Sequence, residues 1–523
     1  MSKQHYPKTA AMIDCLENAL KFRRKSRSVK LPGLKTSGGA VRLFVLFLFV
    51  TSASGCSFLA PVYEKPKLPV AESYPYDTVA ESVSEPTASA AIGWKDYFLD
   101  KKLCAIIEQA LRYNRDLRSA VLRVEEACAL YGIQRADQFP TINAGASGMR
   151  TRTPADLSLT GNKQTSKQFQ VDLNSAAWEV DFWGRVRNLK DAALENYLAT
   201  GAARQAAIVS LIANVANSYL RLSELDERIA LTRQTISTRE ESLRIFKRRF
   251  EEGAISRLDV TQVETLLKQA QALGAQLEQE RAIEAHFLVF LAGSSLDLAP
   301  AQKRLNDFNV LRPLRCGLPS ELLINRPDII AAEHQLRAAG ANIGAARAAF
   351  FPRVTLIGSW GSASADLEGL FAPESLVWKY GPNISIPIFD TGRNMNNLSL
   401  AKARQHLAVA GYEKTVQAAF REVADALAEQ KWLSEQVRIQ QETLVVQTER
   451  ARLAQLRYDN GTSAFLEVLD AQRDLLSIEQ QLVQTRRALL SSRVRLYAAL
   501  GGGAQTSVVE QVTLENLSQM KGS

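Results

Sequence analysis

The side chains that could carry catalysis are few, and they are not spaced for it. The chain has four histidines, and His286, His334 and His406 lie in helix-like segments without the His-Glu-x-x-His spacing of a zinc site. The sequence contains no Gly-x-x-x-x-Gly-Lys phosphate loop. Most carboxylates follow the spacing of a solvated helix surface, but Glu467 and Asp470 are three residues apart and therefore share one helix face. These patterns predict a protein that is not an enzyme, with no resident metal or cofactor.

Cys56 offers a different chemistry, that of a modification site. Arg42 precedes an apolar run at residues 43–50, and Ala53-Ser54-Gly55-Cys56 follows. The run is too short to cross a bilayer but suits a signal peptide. The four residues resemble a bacterial lipoprotein box, although Ala53 stands where leucine is typical. We expect residues 1–55 to be removed, with Val41 as a possible true start, and Cys56 to carry lipid. The alternative is a plain signal peptide with an incidental cysteine.

The net charge of +9 does not indicate a nucleic-acid partner. Residues 1–55 hold ten basic and two acidic side chains, which leaves only +1 for the rest of the chain. The basic character therefore belongs to the leader, and nucleic-acid binding is excluded. Cys104 and Cys128 lie on consecutive predicted helices without metal spacing. A bridge between them is possible, but buried free thiols are the preferred interpretation.

One pattern occurs twice, roughly 210 residues apart, so the chain is an internal duplication of a whole structural unit. The correspondences keep their order along the chain. They pair Asn114-Arg115-Asp116 with Asn325-Arg326-Pro327-Asp328, Phe139-Pro140 with Phe351-Pro352, Gly184-Arg185 with Gly392-Arg393, Gly253 with Gly461, Leu258-Asp259 with Leu466-Glu467, and Gly293 with Gly501.

Each copy contains two segments in which apolar and polar residues alternate. This period predicts strands with one apolar and one polar face, as in transmembrane β-strands. The apolar positions are Ile142, Ala144, Ala146 and Gly148, then Phe169, Val171 and Leu173 in the first copy, and Val354, Leu356, Gly358 and Trp360, then Trp378, Tyr380, Ile384 and Ile386 in the second.

Each copy continues into a very long helical hairpin. The stretches from Arg185 to Gly253 and from Arg393 to Gly461 contain no proline, and as continuous helices they would each be roughly 100 Å long. In the returning helix of the second copy, a heptad of apolar residues predicts coiled-coil packing. Its members are Val468, Leu475, Leu482, Leu489 and Leu496, each followed by another apolar side chain.

Four membrane strands in one chain would leave two open edges, and unpaired backbone groups in lipid cost several kcal/mol each. The sheet must therefore close between subunits. Two copies would give eight strands and a filled lumen, whereas three would give twelve and an aqueous one. A purely structural periplasmic coiled-coil lipoprotein is the rival hypothesis, but it has no need for the four alternating strands.

The mature chain resembles TolC-type outer-membrane channels, of the lipoprotein branch called NodT or OprM-like. The stretches that carry the resemblance are 317–328, 345–352, 181–185 and 468–472. The resemblance implies a mainly α, internally duplicated homotrimer, with a twelve-stranded outer-membrane barrel continuous with a long periplasmic α-helical barrel. It also implies a periplasmic adaptor and an inner-membrane pump of the resistance-nodulation-division class. Drugs or other small toxic compounds are the expected substrates, with metal-ion efflux or type I protein secretion as alternatives.

The expected organisation follows the repeats. Residues 56–92 form a lipidated extended arm, 93–293 the first repeat, 294–320 a linker, 321–502 the second repeat and 503–523 a tail. The β-hairpins fall at about 141–178 and 353–388, and the helical tips lie near 253 and 461.

Two sites are expected at those tips. For adaptor contact we expect Gly253, Ser256, Arg257, Leu258, Asp259, Gly461, Thr462 and Ser463, with the glycines permitting a positive φ and Ser256 or Ser463 capping the returning helix. For the periplasmic gate, the resemblance matches Leu466 and Asp470 to the family's constriction rings and Glu467 to a further acidic position. A three-fold axis would turn each carboxylate into a ring that attracts cations. The alternatives are residues that only end helices, and a solvated outer helix face.

Overall fold

The computed structural model describes residues 59–66, 70–71, 74, 92–299 and 322–503 of the chain. Cys56 lies outside these residues. Apart from α1, which has no counterpart among the described residues, the helices and strands follow the same order in each repeat. The first repeat contains α1 (Trp94–Tyr97), α2 (Lys101–Tyr113), α3 (Arg115–Ala136), β1 (Ile142–Thr153), β2 (Gln164–Glu179), α4 (Arg185–Glu251) and α5 (Arg257–Ala292). The second contains α6 (Leu322–Asn325), α7 (Pro327–Ala348), β3 (Arg353–Ser364), β4 (Leu376–Ser385), α8 (Arg393–Asp459) and α9 (Phe465–Ala499).

The chain divides into two compact units that do not coincide with the two repeats. The first, which we call the sheet unit, contains residues 59–65, 125–197 and 335–408; the second, the helical unit, contains the other described residues. Each unit takes segments from both copies. The reason is that strands and helices of one copy pair with those of the other, so neither copy closes a core by itself.

The sheet unit contains one antiparallel sheet in the order β1-β2-β3-β4. Its central pairing joins the two repeats, because β2 lies against β3 with Leu173 opposite Trp360. In the next pairing Trp360 faces Trp378. Directly opposed residues point to the same side, so the register places the predicted apolar positions of all four strands on one face, except Ile386, which follows the end of β4. That face is exposed, with Trp360 at 59% and Tyr380 at 78%.

The helical unit has an aromatic core that fixes α1 to the end of α9. The rings of Tyr97 and Tyr497 stack at 4.2 Å between centroids. The Tyr97 hydroxyl donates to the Arg493 carbonyl (2.9 Å) and the Tyr497 hydroxyl to the Ile92 carbonyl (3.1 Å). Burial raises the pKa of both tyrosines well above the usual value, so both hydroxyls remain donors at neutral pH.

The asparagine-arginine motif of each repeat holds the end of the returning helix, where carbonyl groups lack helical partners. In the first repeat, the Asn114 side-chain amide donates to the Leu291 carbonyl (2.9 Å). In the second, the buried Arg326 guanidinium donates to the Ala499 carbonyl (3.0 Å). The two copies therefore meet the same requirement with different residues of the same motif.

Two sequence expectations are settled by the helical packing. Cys104 and Cys128 are half-buried thiols that form no disulfide, so a bridge between them is wrong. The Cys104 thiol donates to the Phe98 carbonyl (3.2 Å), and burial raises its pKa.

Along α9, the apolar residues that follow each heptad position are all buried. They are Leu469, Leu476, Val483, Leu490 and Tyr497.

Candidate functional site

The tips of the two helical hairpins share one backbone pattern. In each, the glycine N–H donates to the carbonyl three residues back and the next N–H to the carbonyl five residues back, which is the Schellman motif that ends helices. The glycine φ angles are 74° at Gly253 and 69° at Gly461, in the left-handed region that favours glycine. The predicted positive φ at both tips is therefore confirmed.

The two returning helices begin differently. Ser256 caps α5 in a capping box: its hydroxyl accepts from the Asp259 N–H (3.2 Å), and the Asp259 carboxylate accepts from the Ser256 N–H (3.0 Å). The corresponding prediction for Ser463 is wrong. The residue before α9 is Ala464, which has no side-chain oxygen, and the Ser463 hydroxyl makes no cap bond to the helix. The second tip is stabilised instead by Thr462, whose hydroxyl donates to the Arg457 carbonyl (2.9 Å).

The tips of the two repeats pack together within one chain. Phe465, the first residue of α9, contacts Phe246 of α4 with ring centroids at 4.3 Å and Tyr458 of α8 at 4.8 Å. Arg249 of α4 donates to the Tyr458 hydroxyl (2.9 Å). These contacts bring the two predicted docking turns into one surface. Arg257 and Leu258 are exposed on it.

The three predicted gate residues lie together on the exposed side of the first turns of α9. Leu466 is 51% exposed, and the side chains of Glu467 and Asp470 are 50% and 43% exposed. The opposite side of the same turns is buried, because Val468 packs with Ala454 and Ala471. Because α9 packs against its own chain through Val468, the side chains of Leu466, Glu467 and Asp470 face away from that contact.

Basic residues accompany the two carboxylates predicted for the gate, and sequence reasoning did not include them. Arg457 lies 3.3 Å from Glu467, and Arg473 lies 3.3 Å from Asp470. One turn further, Arg450 of α8 pairs with Asp474 (2.6 Å), and this hydrogen bond holds the pKa of Asp474 below its ordinary value. The three-residue spacing from Asp470 to Arg473 was the available signal. This face of α9 thus carries paired charges rather than bare carboxylates.

Some carboxylates are exceptions to the expectation that most of them are solvated. Glu224 of α4 is fully buried, and the Glu179 side chain at the end of β2 is 9% exposed. Glu179 accepts a two-bond contact from Arg185 (2.9 and 2.6 Å) and pairs with Arg353 (2.6 Å). Among the described residues, no group of three or more histidine, cysteine or acidic side chains is placed to hold a metal ion.

The chain is similar to known proteins both in sequence and in structure. The family model described as "Outer membrane efflux protein" matches residues 106–294 and 318–502, once on each repeat. The solvent efflux pump outer membrane protein SrpC of Pseudomonas putida is 43% identical over 455 residues, which are 87% of this chain and 96% of SrpC. Outer membrane protein OprJ of Pseudomonas aeruginosa is 41% identical over 466 residues, 87% of this chain and 95% of OprJ.

Among solved structures, the open state of the MtrE outer membrane channel of Neisseria gonorrhoeae matches with a TM-score of 0.78 and 38% identity, over 86% of this chain and 98% of MtrE. The two family matches coincide with the two copies of the fold. The chain belongs to the outer membrane efflux protein family.

Proposed function

We propose that three copies of this chain form one exit channel, which passively conducts small toxic compounds from a periplasmic adaptor and an inner-membrane pump to the outside. The observation that supports this proposal most strongly is the four-stranded sheet with an exposed apolar face. Among the described residues, neither β1 nor β4 has a strand partner on its outer edge. Such edges are too costly in lipid unless other copies pair with them. Three copies supply twelve strands, enough for an aqueous lumen.

The assembly is tested on protein extracted from outer membranes with detergent. We expect heat-resistant trimers on gels and discrete single-channel conductance in planar bilayers. A stable monomer, or a trimer without conductance, would contradict the channel and favour a structural coiled-coil lipoprotein.

The relatives suggest the class of cargo. Relatives of this chain in Pseudomonas putida are named as outer membrane proteins of solvent, toluene and antibiotic efflux pumps, so apolar and amphipathic organic molecules are the proposed substrates. Deletion of the gene should sensitise cells to such compounds. If the deletion leaves tolerance to organic solvents and antibiotics unchanged but abolishes tolerance to a metal ion, the channel serves metal efflux instead.

We expect the mature protein to begin at lipidated Cys56. The first described residue, Leu59, lies close behind it in the chain, and its carbonyl accepts a hydrogen bond from Arg347 of α7 (2.8 Å). Cys56→Ser should abolish acyl labelling but largely preserve outer-membrane trimers, because a closed barrel anchors far more securely than acyl chains. Processing at another residue without any acyl label would exclude the lipid site.

The exposed tip turns are proposed as the adaptor contact, at Gly253, Ser256, Arg257, Leu258, Asp259, Gly461, Thr462 and Ser463. Arg257→Glu should weaken cross-linking to the adaptor and leave the trimer intact, because the substitution reverses an exposed charge at the start of α5. Lys268→Glu is the matched control, since it reverses an exposed charge on the same helix three turns from the tip. Equal cross-linking in both variants would mean that the turn residues serve only to end helices.

Leu466, Glu467 and Asp470 are proposed as the gate, close to those turns. Three copies around one axis would form an apolar ring beside two rings of carboxylates, each carboxylate partly balanced by its arginine. An apolar constriction resists wetting, and the carboxylates favour cations at the entrance.

A further inference from the structure

A cluster of buried polar side chains joins α4 to α9 far from the tip. Glu224 of α4 accepts hydrogen bonds from Arg228 of the same helix (3.1 Å) and from Arg487 of α9 (2.8 Å). Arg228 also donates to the Gln480 side chain of α9 (2.7 Å). The Gln480 amide donates back to the Arg228 carbonyl and to the Thr232 hydroxyl, both at 3.2 Å. We call these five residues the Glu224 cluster.

The neighbouring helix α5 is linked to Glu224 through Arg221 of α4. Arg221 donates to Glu224 (2.7 Å) and, through its other nitrogen, to Glu280 of α5 (2.7 Å). Glu224 is thus shared by three guanidinium groups. It is fully buried, and Arg228 and Gln480 are 8% and 7% exposed. Charged hydrogen bonds are strong and directional in such surroundings, so the cluster fixes the axial register of α9 against α4.

The other repeat does not contain this cluster. Both hairpins have the same spacing from their first residue to the tip glycine, so each position has a counterpart in the other copy. The residues corresponding to Glu224, Arg228 and Thr232 are Trp432, Gln436 and Gln440, and those corresponding to Gln480 and Arg487 are Ala272 and Gln279. A neutral set occupies the counterpart positions. The charged set belongs specifically to α9, the helix that carries the proposed gate.

Towards the tip, α9 is held by contacts of another kind. Its ion pairs there, Arg457 with Glu467 and Arg450 with Asp474, are exposed, and exposed pairs contribute little. Leu469 packs in an apolar cluster with Phe246 and its neighbours. Apolar contacts are non-directional, so this part of α9 lacks the directional buried hydrogen bonds that hold the clustered part.

We propose that the Glu224 cluster is the fixed point of α9, and that movement of the gate is confined to the part of the helix between Phe465 and Gln480. Glu224 is in this sense a positioning residue for the gate. The proposal rests on the proposed gating function, but it makes a claim about the helix that is measurable without conductance.

The test is hydrogen–deuterium exchange of the purified trimer, resolved by fragments of α9. In the wild type we expect faster exchange in 466–479 than in 483–494. Glu224→Gln removes the central charge and leaves Arg228 and Arg487 without the carboxylate that they share, so exchange in 483–494 should rise on the order of 100-fold, and resting conductance should rise with it. Glu278→Gln is the matched control, because it removes the exposed partner of Arg233 at the α4–α5 contact.

A second variant keeps the proposal testable if Glu224→Gln does not assemble. Arg487→Gln removes only the partly exposed edge of the cluster, and Arg487→Lys should restore slow exchange. Unchanged exchange in 483–494, or a rise spread equally over α4, α5 and α8, would overturn the proposal. If Asp470→Ala leaves conductance unchanged while Glu224→Gln still accelerates exchange in 483–494, the gate assignment fails and the fixed point stands.

Discussion

Replacing Asp470 with alanine is expected to raise the resting conductance of the channel several-fold and to lower its preference for cations. The physical reason is that Asp470 lies on the exposed face of α9 and balances Arg473 at 3.3 Å. Its removal would take three carboxylates from the proposed ring and leave each Arg473 paired only with Asp474 (3.3 Å). Both changes repel cations from the entrance, and the smaller side chain widens it. The measurements are single-channel conductance and reversal potential in a salt gradient.

The same variant should sensitise cells to large antibiotics, which enter through a channel that no longer closes. Asp425→Ala is the matched control, because Asp425 is an exposed aspartate of α8 with a weak arginine contact (3.8 Å). If Asp470→Ala and Asp425→Ala both conduct as the wild type does, Asp470 faces the outer surface and the gate lies elsewhere.

Replacing Arg326 with methionine is expected to cost about 3 kcal/mol of stability, the lower end of the range for breaking a buried ion pair. The Arg326 side chain is 9% exposed and bonds Asp328 twice (3.0 and 2.6 Å), Glu422 (2.8 Å) and the Ala499 carbonyl (3.0 Å). Methionine fills the space but leaves the end of α9 without its donor. Asp328 and Glu422 are partly exposed, so water can hydrate these carboxylates in place of the lost guanidinium. This is why the lower end of the range is expected.

The loss should appear as dissociation of trimers at lower temperature and at lower denaturant concentration. Arg421→Met is the control, since Arg421 is on the same helix as Glu422, its side chain is 73% exposed, and its loss should change stability by less than about 1 kcal/mol. Equal effects of the two substitutions would show that the motif does not hold the end of α9.

The sequence alone determined those features that depend on local periodicity and backbone geometry. Alternation along the strands correctly predicted which residues of β1–β4 share a face, because side chains point to opposite sides of a strand with period two. The tip glycines were recognisable because a Schellman turn requires a positive φ at that position. Ser256 and Asp259 have the spacing of a capping box and formed one. The repeat was visible because corresponding residues keep their order in both copies, and the resemblance to the family followed from short stretches of sequence within them.

The tertiary structure decided which polar groups are buried and which partners they have. Ser463 resembles Ser256 in sequence, but α9 begins one residue too late for it to cap. Glu224 has the spacing of a surface carboxylate, and only the approach of α9 to α4 places Arg487 and Gln480 around it. Such contacts join residues more than 250 positions apart. A helical period specifies the face on which a side chain lies, whereas its burial depends on the helix that packs against that face.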